Sequence, residues 1–239
     1  MMEGDELEEW IERLFQDKKL IRMGHHQRKS DLNLGLGWIY YGLARSMRPK
    51  TIVVVGSYRG FVPLVFGKAL LDNEEGGKVV FIDPSFVDDF WKDPIAVRSH
   101  FAHHGVTNIR HFLMTTQEFI GCEAYASLGP VGIVFIDGHH SEEQARFDYY
   151  AFEDRLDVDG IAMFHDTAGY MISRMYGRDS PYQHRVKDFV DGLKRDTKLQ
   201  FFDIPFGTGV TFVRKLSAER ADSLPGGASQ ETAAVRTAL

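Results

Sequence analysis

The sequence predicts a doubly wound α/β fold, in which a mostly parallel sheet is covered by helices on both sides. Short apolar runs alternate with helical runs between residues 51 and 166, as in repeated β-α units. Several apolar runs are hydrophobic on both faces, which is typical of strands inside a parallel sheet. The predicted strands are 51–56, 78–83, 108–114, 131–137 and 160–166, and the predicted helices between them are 61–71, 93–105 and 141–156.

The two ends of the chain extend this pattern. Residues 6–20 predict an acidic amphipathic helix that packs either on the domain or on another subunit, which leaves the oligomeric state open. A further helix is predicted at 36–48, before Pro49. A helix at 182–195 is followed by "LQFFDIP" and "GVTFVRK", so we expect one antiparallel edge strand. The predicted units are an N-terminal helix and loop (1–35), a central domain (36–215) and a mobile tail (216–239).

Composition excludes several classes of protein. The formal net charge of −6 over 239 residues gives no general basic surface for nucleic-acid phosphates. Cys122 is the single cysteine, so no intrachain disulfide is predicted, and this fits a reducing compartment. The N-terminus lacks the basic start and apolar run of a secretory signal, and no apolar stretch is long enough to span a bilayer. We expect a cytoplasmic protein without nucleic-acid or membrane partners.

A glycine-rich turn follows the first strand. "VVVGSYRGF" places Gly56 and Gly60 where a ligand can approach the backbone closely. The G-x-x-x-G spacing differs from the one that seats a dinucleotide pyrophosphate, so it favours another ligand or a turn with no ligand. Asp83 ends the second strand, where an acid can accept hydrogen bonds from two ribose hydroxyls or cap the next segment.

Chemistry-bearing residues follow the fourth and fifth strands. "VGIVFIDGHH" ends in Asp137, His139 and His140, and Asp166 ends the next strand. Ligands bind beyond the carboxyl ends of such strands, so the two carboxylates are expected to converge. Paired carboxylates suit Mg²⁺, whereas added histidine favours Mn²⁺, Fe²⁺ or Zn²⁺. An imidazole near its usual pKa suits proton removal. In the structural alternative, Asp137 caps the following helix and Asp166 binds backbone amides.

Together these motifs resemble the class I S-adenosylmethionine-dependent methyltransferases over about residues 30–214. "VVVGSYRGF" is similar to the family's first motif and "VVFIDP" to its second. "FIDGHHSEEQARFDYYAF" and "GIAMFHDT" resemble the small-molecule O-methyltransferase branch with "DGDHSY", which includes antibiotic-sugar O-methyltransferases. The resemblance implies a seven-stranded Rossmann-like sheet, S-adenosylmethionine as cofactor, a small-molecule hydroxyl acceptor from natural-product biosynthesis, and an N-terminal loop that covers the cofactor.

The resemblance also implies roles for residues. His140 is the expected general base, Asp137 the expected orienting or metal-binding carboxylate, and Asp166 its partner, with Thr167 in the place of a third ligand to Mg²⁺ or another divalent metal. Two positions depart from the family pattern, because Val54 and His139 stand where many members have acids. The expected cofactor-binding residues are Gly56, Ser57, Tyr58, Gly60, Asp83, Thr115, Thr116 and Asp137.

Other residues receive weaker assignments. His165 has at most a supporting role, because His165 and Asp166 are expected to point to opposite sides of their strand. His25 and His26 are expected in the covering loop, with a solvated position favoured for each. Five aromatic residues either wall an acceptor pocket or pack within loops: Phe90, Trp91, Tyr170, Tyr176 and Tyr182.

The leading hypothesis is therefore an S-adenosylmethionine-dependent O-methyltransferase for a small molecule or glycoside. A nicotinamide-dependent oxidoreductase and a catalytically silent methyltransferase-like binding protein are the alternatives. The first shares the fold and the ribose acid, and Val54 together with the incomplete metal set favours the second.

Overall fold

The computed structural model describes residues 3–22, 24–174, 179 and 181–218. Most of the predicted tail and the predicted pocket residue Tyr176 lie outside the described residues. None of the helices in the described ranges combines the length and the apolar character that a membrane span needs.

Seven strands form one sheet, and a two-stranded ribbon lies beside it. The strands of the sheet are β1 (Thr51–Val55), β2 (Lys78–Ile82), β3 (Ile109–Phe112), β4 (Val131–Ile136), β5 (Leu156–His165), β8 (Leu199–Ile204) and β9 (Val210–Lys215), and the ribbon consists of β6 (Ile172–Ser173) and β7 (Tyr182–Gln183).

The order of strands in the sheet is β3-β2-β1-β4-β5-β9-β8. The strands β1 to β5 run parallel to their neighbours, whereas β9 is antiparallel to both β5 and β8. The predicted seven-stranded, mostly parallel sheet is confirmed, and its antiparallel strand β9 forms the edge pair with β8. The order reverses between β1 and β4, which makes their carboxyl ends the expected place for a ligand.

Helices cover both faces of the sheet. Their bounds are α1 Glu3–Gln16, α2 Gly37–Met47, α3 Phe61–Asp72, α4 Pro94–His103, α5 Thr116–Ile120, α6 Glu123–Ala126, α7 Glu142–Glu153 and α8 Val186–Leu193. The predicted helix at 182–195 begins later than expected, because Tyr182 pairs with Ser173 in the ribbon. The sequence patterns missed the short helix α5, which a reciprocal capping box between Thr115 and Glu118 begins.

Alternate residues of the central strands supply two separate cores. In β1, Ile52 and Val54 pack with the helices α1 to α4, whereas Val53 and Val55 pack with α5, α7 and α8. Successive side chains of a strand point to opposite faces, so a strand with helices on both sides must be apolar throughout. Val54 is therefore a core residue.

The amphipathic helix α1 packs on its own domain. Trp10, Leu14 and Phe15 are buried in the same core as α3. The indole N–H of Trp10 also donates a hydrogen bond of 2.9 Å to the backbone oxygen of His104, just beyond α4. Of the two positions that the sequence left open for this helix, the structure shows the one on its own domain.

Candidate active site

A cavity of about 300 Å³ opens at the carboxyl ends of β1, β2, β4 and β5. The turn after β1, the start of α5 and the residues after β4 form its walls, and Gly24 and His25 of the N-terminal loop close one side. Most of the predicted site residues line it: Gly56, Ser57, Tyr58, Asp83, Thr115, Thr116, Asp137, His140 and Asp166. Gly60 and Thr167 are not among its lining residues.

The turn after β1 needs glycine at both predicted positions, for different reasons. Gly56 has a φ of 74°, and a Cβ there would lie 2.3 Å from the backbone oxygen of Asp137. Gly56 thus lets the ends of β1 and β4 approach closely. Gly60 has a φ of 84°, and a Cβ there would lie 2.9 Å from the ring of Trp91. Gly60 therefore admits Trp91 beneath the turn, and Trp91 is a core residue and not an acceptor wall.

Asp83 is fixed at the end of β2 by backbone amides. The N–H of Ser57 donates to its Oδ2 (3.1 Å), and the N–H of Ser85 donates to its Oδ1 (2.8 Å). Burial raises the pKa of this carboxyl. A carboxylate oxygen accepts more than one hydrogen bond, so Asp83 can still accept from the hydroxyls of a ligand in the cavity.

A chain of polar groups leads from α5 to a buried carboxyl on α7. The side-chain amide of Gln117 donates to Gln144 (2.9 Å), and the amide of Gln144 donates to Oδ1 of Asp148 (2.8 Å). Asp148 lines the cavity, and its Oδ2 has no hydrogen-bond partner within the described part of the chain. No sequence pattern singles out Asp148, because an acid within a polar helix is ordinary. An orphaned acceptor in this wall suits an amino group of a bound ligand.

The buried Asp148 should make stability depend on pH. Burial raises its pKa to about 6, above the usual 3.8, against polar contacts from Thr116 and Gln144. The native state then keeps a proton that the unfolded state releases first, so the free energy of unfolding falls as pH rises from 4 to 7. Asp148→Asn should remove a pH-dependent component of about 3 kcal/mol. Chemical denaturation of both proteins at several pH values measures this difference.

Asp89→Asn is the matched control, because Asp89 is exposed. It should leave the pH dependence of wild type unchanged. A difference between wild type and Asp148→Asn that stayed constant from pH 4 to pH 7 would contradict the assignment.

Two carboxylates and three imidazoles converge after β4 and β5. Nδ1 of His165 lies 3.1 Å from Oδ1 of Asp137 and 3.0 Å from Oδ1 of Asp166. Nδ1 of His140 lies 3.3 Å from Oδ2 of Asp166, and Nδ1 of His184 lies 2.7 Å from the same oxygen. The predicted convergence of Asp137 and Asp166 is therefore present, with histidines around it.

The backbone at Asp166 explains why His165 joins this cluster. Regular strand geometry would send His165 and Asp166 to opposite faces. Asp166 instead has a φ of 62°, in the left-handed region, directly after β5 ends. Both side chains consequently reach the same site, and the expectation that one of them points away is wrong.

Thr167 does not share the cluster. Its hydroxyl is 2.9 Å from the hydroxyl of Thr211, and its N–H is 3.4 Å from the backbone oxygen of Gly209. The left-handed turn at Asp166 directs the chain toward β9 at this point. Geometry thus puts His165, and not Thr167, beside the two carboxylates.

The group of Asp137, His165 and Asp166 fits a divalent metal. Neighbouring ligands of an octahedral ion with bonds of about 2.1 Å lie roughly 3.0 Å apart, and Nδ1 of His165 lies at this distance from one oxygen of each carboxylate. The three donor atoms all lie within 4.8 Å of one another. Nδ1 of His165 is buried but makes no well-aligned hydrogen bond to either carboxylate. When no metal is bound, burial lowers the pKa of His165, but the carboxylates of Asp137 and Asp166 outweigh this effect and raise the pKa to about 10. A metal and this proton would compete for the same place.

His140 lies at the edge of the cluster and lines the cavity. Burial lowers its pKa, so the imidazole is neutral at pH 7 and able to accept a proton. The ring of His184 stacks on it with a centroid separation of 4.1 Å. Nε2 of His184 is buried and has no hydrogen-bond partner in the described ranges. The sequence gives no signal for His184, since it reaches the site only through the chain after β7.

The acceptor side differs in part from the prediction. Tyr182 stacks on His139 at a centroid distance of 4.9 Å. His139, Met171 and Phe86 line the cavity, whereas Tyr182 is not among its lining residues. The remaining predicted wall residues lie elsewhere: Phe90 packs against the core next to Trp91, and Tyr170 hydrogen-bonds to Asp188 outside the cavity.

His25 of the covering loop is buried, and not solvated as expected. Its ring lies 4.6 Å from that of His165 between centroids, and its Nδ1 is 3.2 Å from the hydroxyl of Tyr40. His26 is exposed, as predicted. The loop therefore contributes one histidine to the wall of the site.

Residues 53–167, which extend from within β1 to just beyond β5, match a family model for a methyltransferase domain. The matched residues form a methyltransferase domain. The antiparallel β9 distinguishes this methyltransferase sheet from the 3-2-1-4-5-6 order of dinucleotide-binding folds, which counts against the oxidoreductase alternative.

Solved structures share the fold of this methyltransferase at low identity. The O-methyltransferase TomG of Streptomyces achromogenes, in complex with SAM, is 16% identical over 91% of this chain and 100% of its own, with a TM-score of 0.59. A putative O-methyltransferase from Klebsiella pneumoniae is 11% identical over 87% and 90%, with a TM-score of 0.61. An O-methyltransferase from Bacillus cereus, in complex with SAH, is 14% identical over 90% and 92%, with a TM-score of 0.58. No curated protein matches the sequence significantly.

Proposed function

We propose that this methyltransferase transfers a methyl group from S-adenosylmethionine to a hydroxyl of a small molecule or glycoside, with His140 as general base and assistance from a divalent metal. One observation carries the proposal: His140, Asp137 and Asp166 meet in a single cavity with Asp83 and the glycine-rich turn. This arrangement supports cofactor binding and proton removal side by side.

The cavity has the groups that this cofactor requires. Asp83 faces it as an acceptor for ribose hydroxyls, and the orphaned Oδ2 of Asp148 is an acceptor for the amino group of adenine. When bound, S-adenosylmethionine supplies a methyl group on a cationic sulfonium, so the protein contributes mainly alignment and proton removal. Thr115 and Thr116 line the wall between these two acids.

His140 is the side chain best placed to remove the proton. Its lowered pKa keeps the imidazole neutral, and its Nδ1 faces the carboxylate of Asp166 at 3.3 Å. That carboxylate stabilises the imidazolium that forms when His140 takes the proton of the acceptor hydroxyl. Nε2 is then the nitrogen that faces the acceptor.

Asp137, His165 and Asp166 are the residues that would hold the metal, with His184 next to Asp166. A divalent metal there would lower the pKa of the acceptor hydroxyl as a Lewis acid. The imidazole nitrogens favour Mn²⁺, Fe²⁺ or Zn²⁺ over Mg²⁺, which prefers oxygen ligands alone.

Two observations support a small-molecule hydroxyl acceptor. The structures of similar fold include proteins named as O-methyltransferases, one of them TomG in tomaymycin synthesis. His139, Met171 and Phe86 line the cavity and Tyr182 stacks on His139, which suits a flat or partly apolar molecule. A cytoplasmic role in natural-product biosynthesis, without nucleic-acid or membrane partners, belongs to this proposal.

Cofactor binding is the first test. Calorimetry should show that wild type binds S-adenosylmethionine and that Asp83→Ala raises the Kd about 100-fold, because two hydrogen bonds to a charged group are lost. Asp89→Asn should bind as wild type does. Failure of the wild-type protein to bind at high micromolar concentration would overturn the proposal, and binding without turnover over a broad panel of hydroxyl acceptors would favour the silent binding protein.

A further inference from the structure

A second cluster of metal-ligating side chains lies between α1 and α4, among residues that play no part in the catalytic proposal. Asp17 directly follows α1, His100 is on α4, and His104 directly follows α4. A ring nitrogen of each histidine and a carboxylate oxygen of Asp17 lie within 4.8 Å of one another. The two histidines are four residues apart, so they lie on the same side of the helix, and their ring centroids are 5.3 Å apart.

The hydrogen bonds of these residues leave ligand atoms available. Nε2 of His100 is 3.0 Å from the backbone oxygen of Arg59, and as a donor it leaves the lone pair of Nδ1 free. Histidine ligands of metals usually donate their other N–H in this way. Oδ1 of Asp17 accepts the N–H of Lys19 (2.9 Å), and Asp17 forms no salt bridge within the described ranges.

His104 is the decisive residue. Its side chain is only 1% exposed, and its Nδ1 has no hydrogen-bond partner among the residues that the structure describes. A buried polar atom without a partner is rare and needs an explanation, and a bound ion provides one. The cluster also has a route to solvent, because Asp17 and the neighbouring His103 line a surface cleft.

We propose that Asp17, His100 and His104 bind a divalent transition-metal ion of the zinc class, at a site separate from the catalytic cavity. Two imidazoles and one carboxylate, completed by water, form a ligand set that suits Zn²⁺ better than Mg²⁺ or Ca²⁺. Arg13, Lys18 and Lys19 lie at the same cleft and oppose a cation, so the two neutral imidazoles must supply much of the affinity.

Such an ion would join two parts of the chain directly. Asp17 belongs to the N-terminal segment, His100 lies on α4, and His104 directly follows α4. His100 also contacts Arg59, which lies in the glycine-rich turn and lines the catalytic cavity. The site would therefore fasten the N-terminal helix to the turn that contacts the cofactor, beside the existing hydrogen bond from Trp10 to His104.

Zinc binding to the full chain tests the proposal. Equilibrium dialysis with Zn²⁺ alone should show that Asp17→Asn and His100→Gln each bind one equivalent fewer than wild type. Both substitutions keep a polar group in place: asparagine can still accept from Lys19, and glutamine can still donate to Arg59. The zinc stoichiometry of each variant is compared with that of wild type, because the catalytic cluster can also bind zinc.

His103→Gln is the matched control, because His103 is exposed and adjacent but outside the cluster. It should retain the wild-type stoichiometry, and zinc should raise its Tm as it raises that of wild type, with a smaller rise in the other two variants. Equal stoichiometry in wild type, Asp17→Asn and His100→Gln would overturn the proposal. So would loss of the same equivalent in His103→Gln, which would indicate adventitious binding to surface histidines. S-adenosylmethionine plays no part in this test, so its result is independent of the catalytic proposal.

Discussion

His140→Gln is expected to lower kcat by about 10²- to 10⁴-fold, the usual contribution of a general base. Glutamine keeps hydrogen-bonding capacity at this position but cannot take the proton of the acceptor hydroxyl. The Kd for S-adenosylmethionine should change little, because the groups proposed to hold the cofactor are Asp83, Thr115, Thr116 and Asp148. Steady-state kinetics with a hydroxyl acceptor that the wild-type enzyme methylates gives kcat. Calorimetry with S-adenosylmethionine gives the Kd.

The neighbouring histidine provides the control. His139 stacks on Tyr182 and is not within the clusters of potential metal ligands found in the described residues. We expect His139→Gln to raise KM for the acceptor more than it lowers kcat. If His140→Gln kept wild-type kcat, His140 would not be the base.

Asp166→Asn is expected to weaken metal binding by more than about 100-fold and to lower kcat with it. Burial raises the pKa of Asp166, but the short contacts to His165 and His184 and the charges of His165 and His140 outweigh this and hold its pKa far below its usual range. Its carboxylate is therefore the shared anion of the cluster. Asparagine is the suitable replacement, because it tolerates the left-handed φ of 62° at this position.

Metal affinity is measured by titration with Mn²⁺ and Zn²⁺, and kcat at saturating metal. Thr167→Val is the control, since Thr167 follows Asp166 but bonds to Thr211 and Gly209. It should bind metal as wild type does. An equal loss of metal affinity in Thr167→Val would restore the ligand role that the sequence resemblance implies for Thr167. Wild-type metal affinity in Asp166→Asn would remove the proposed metal centre.

The local sequence determined the frame of the site. Apolar runs with helices between them predict parallel strands, and the carboxyl ends of such strands share one edge of the sheet. Asp83, Asp137 and Asp166 each follow an apolar strand, so their common position was predictable without knowledge of long-range contacts. A glycine turn at Gly56 was predictable from its place after the first strand, but the structure shows that the backbone at Asp137 is what approaches it.

Tertiary structure alone decided which residues complete the site. His25 and His184 arrive from segments far from β4 and β5 in the chain, and Asp148 reaches the cavity because α7 packs against the sheet. Local patterns carry no information about such contacts.

The presence of His165, and not Thr167, beside the two carboxylates has a more specific cause. A period-two pattern in the sequence assumes regular strand geometry up to the last residue. One left-handed residue, Asp166, ends that regularity and turns two consecutive side chains to the same side. The sequence thus determined which strands carry the chemistry, and a single backbone angle decided which side chains face the cavity.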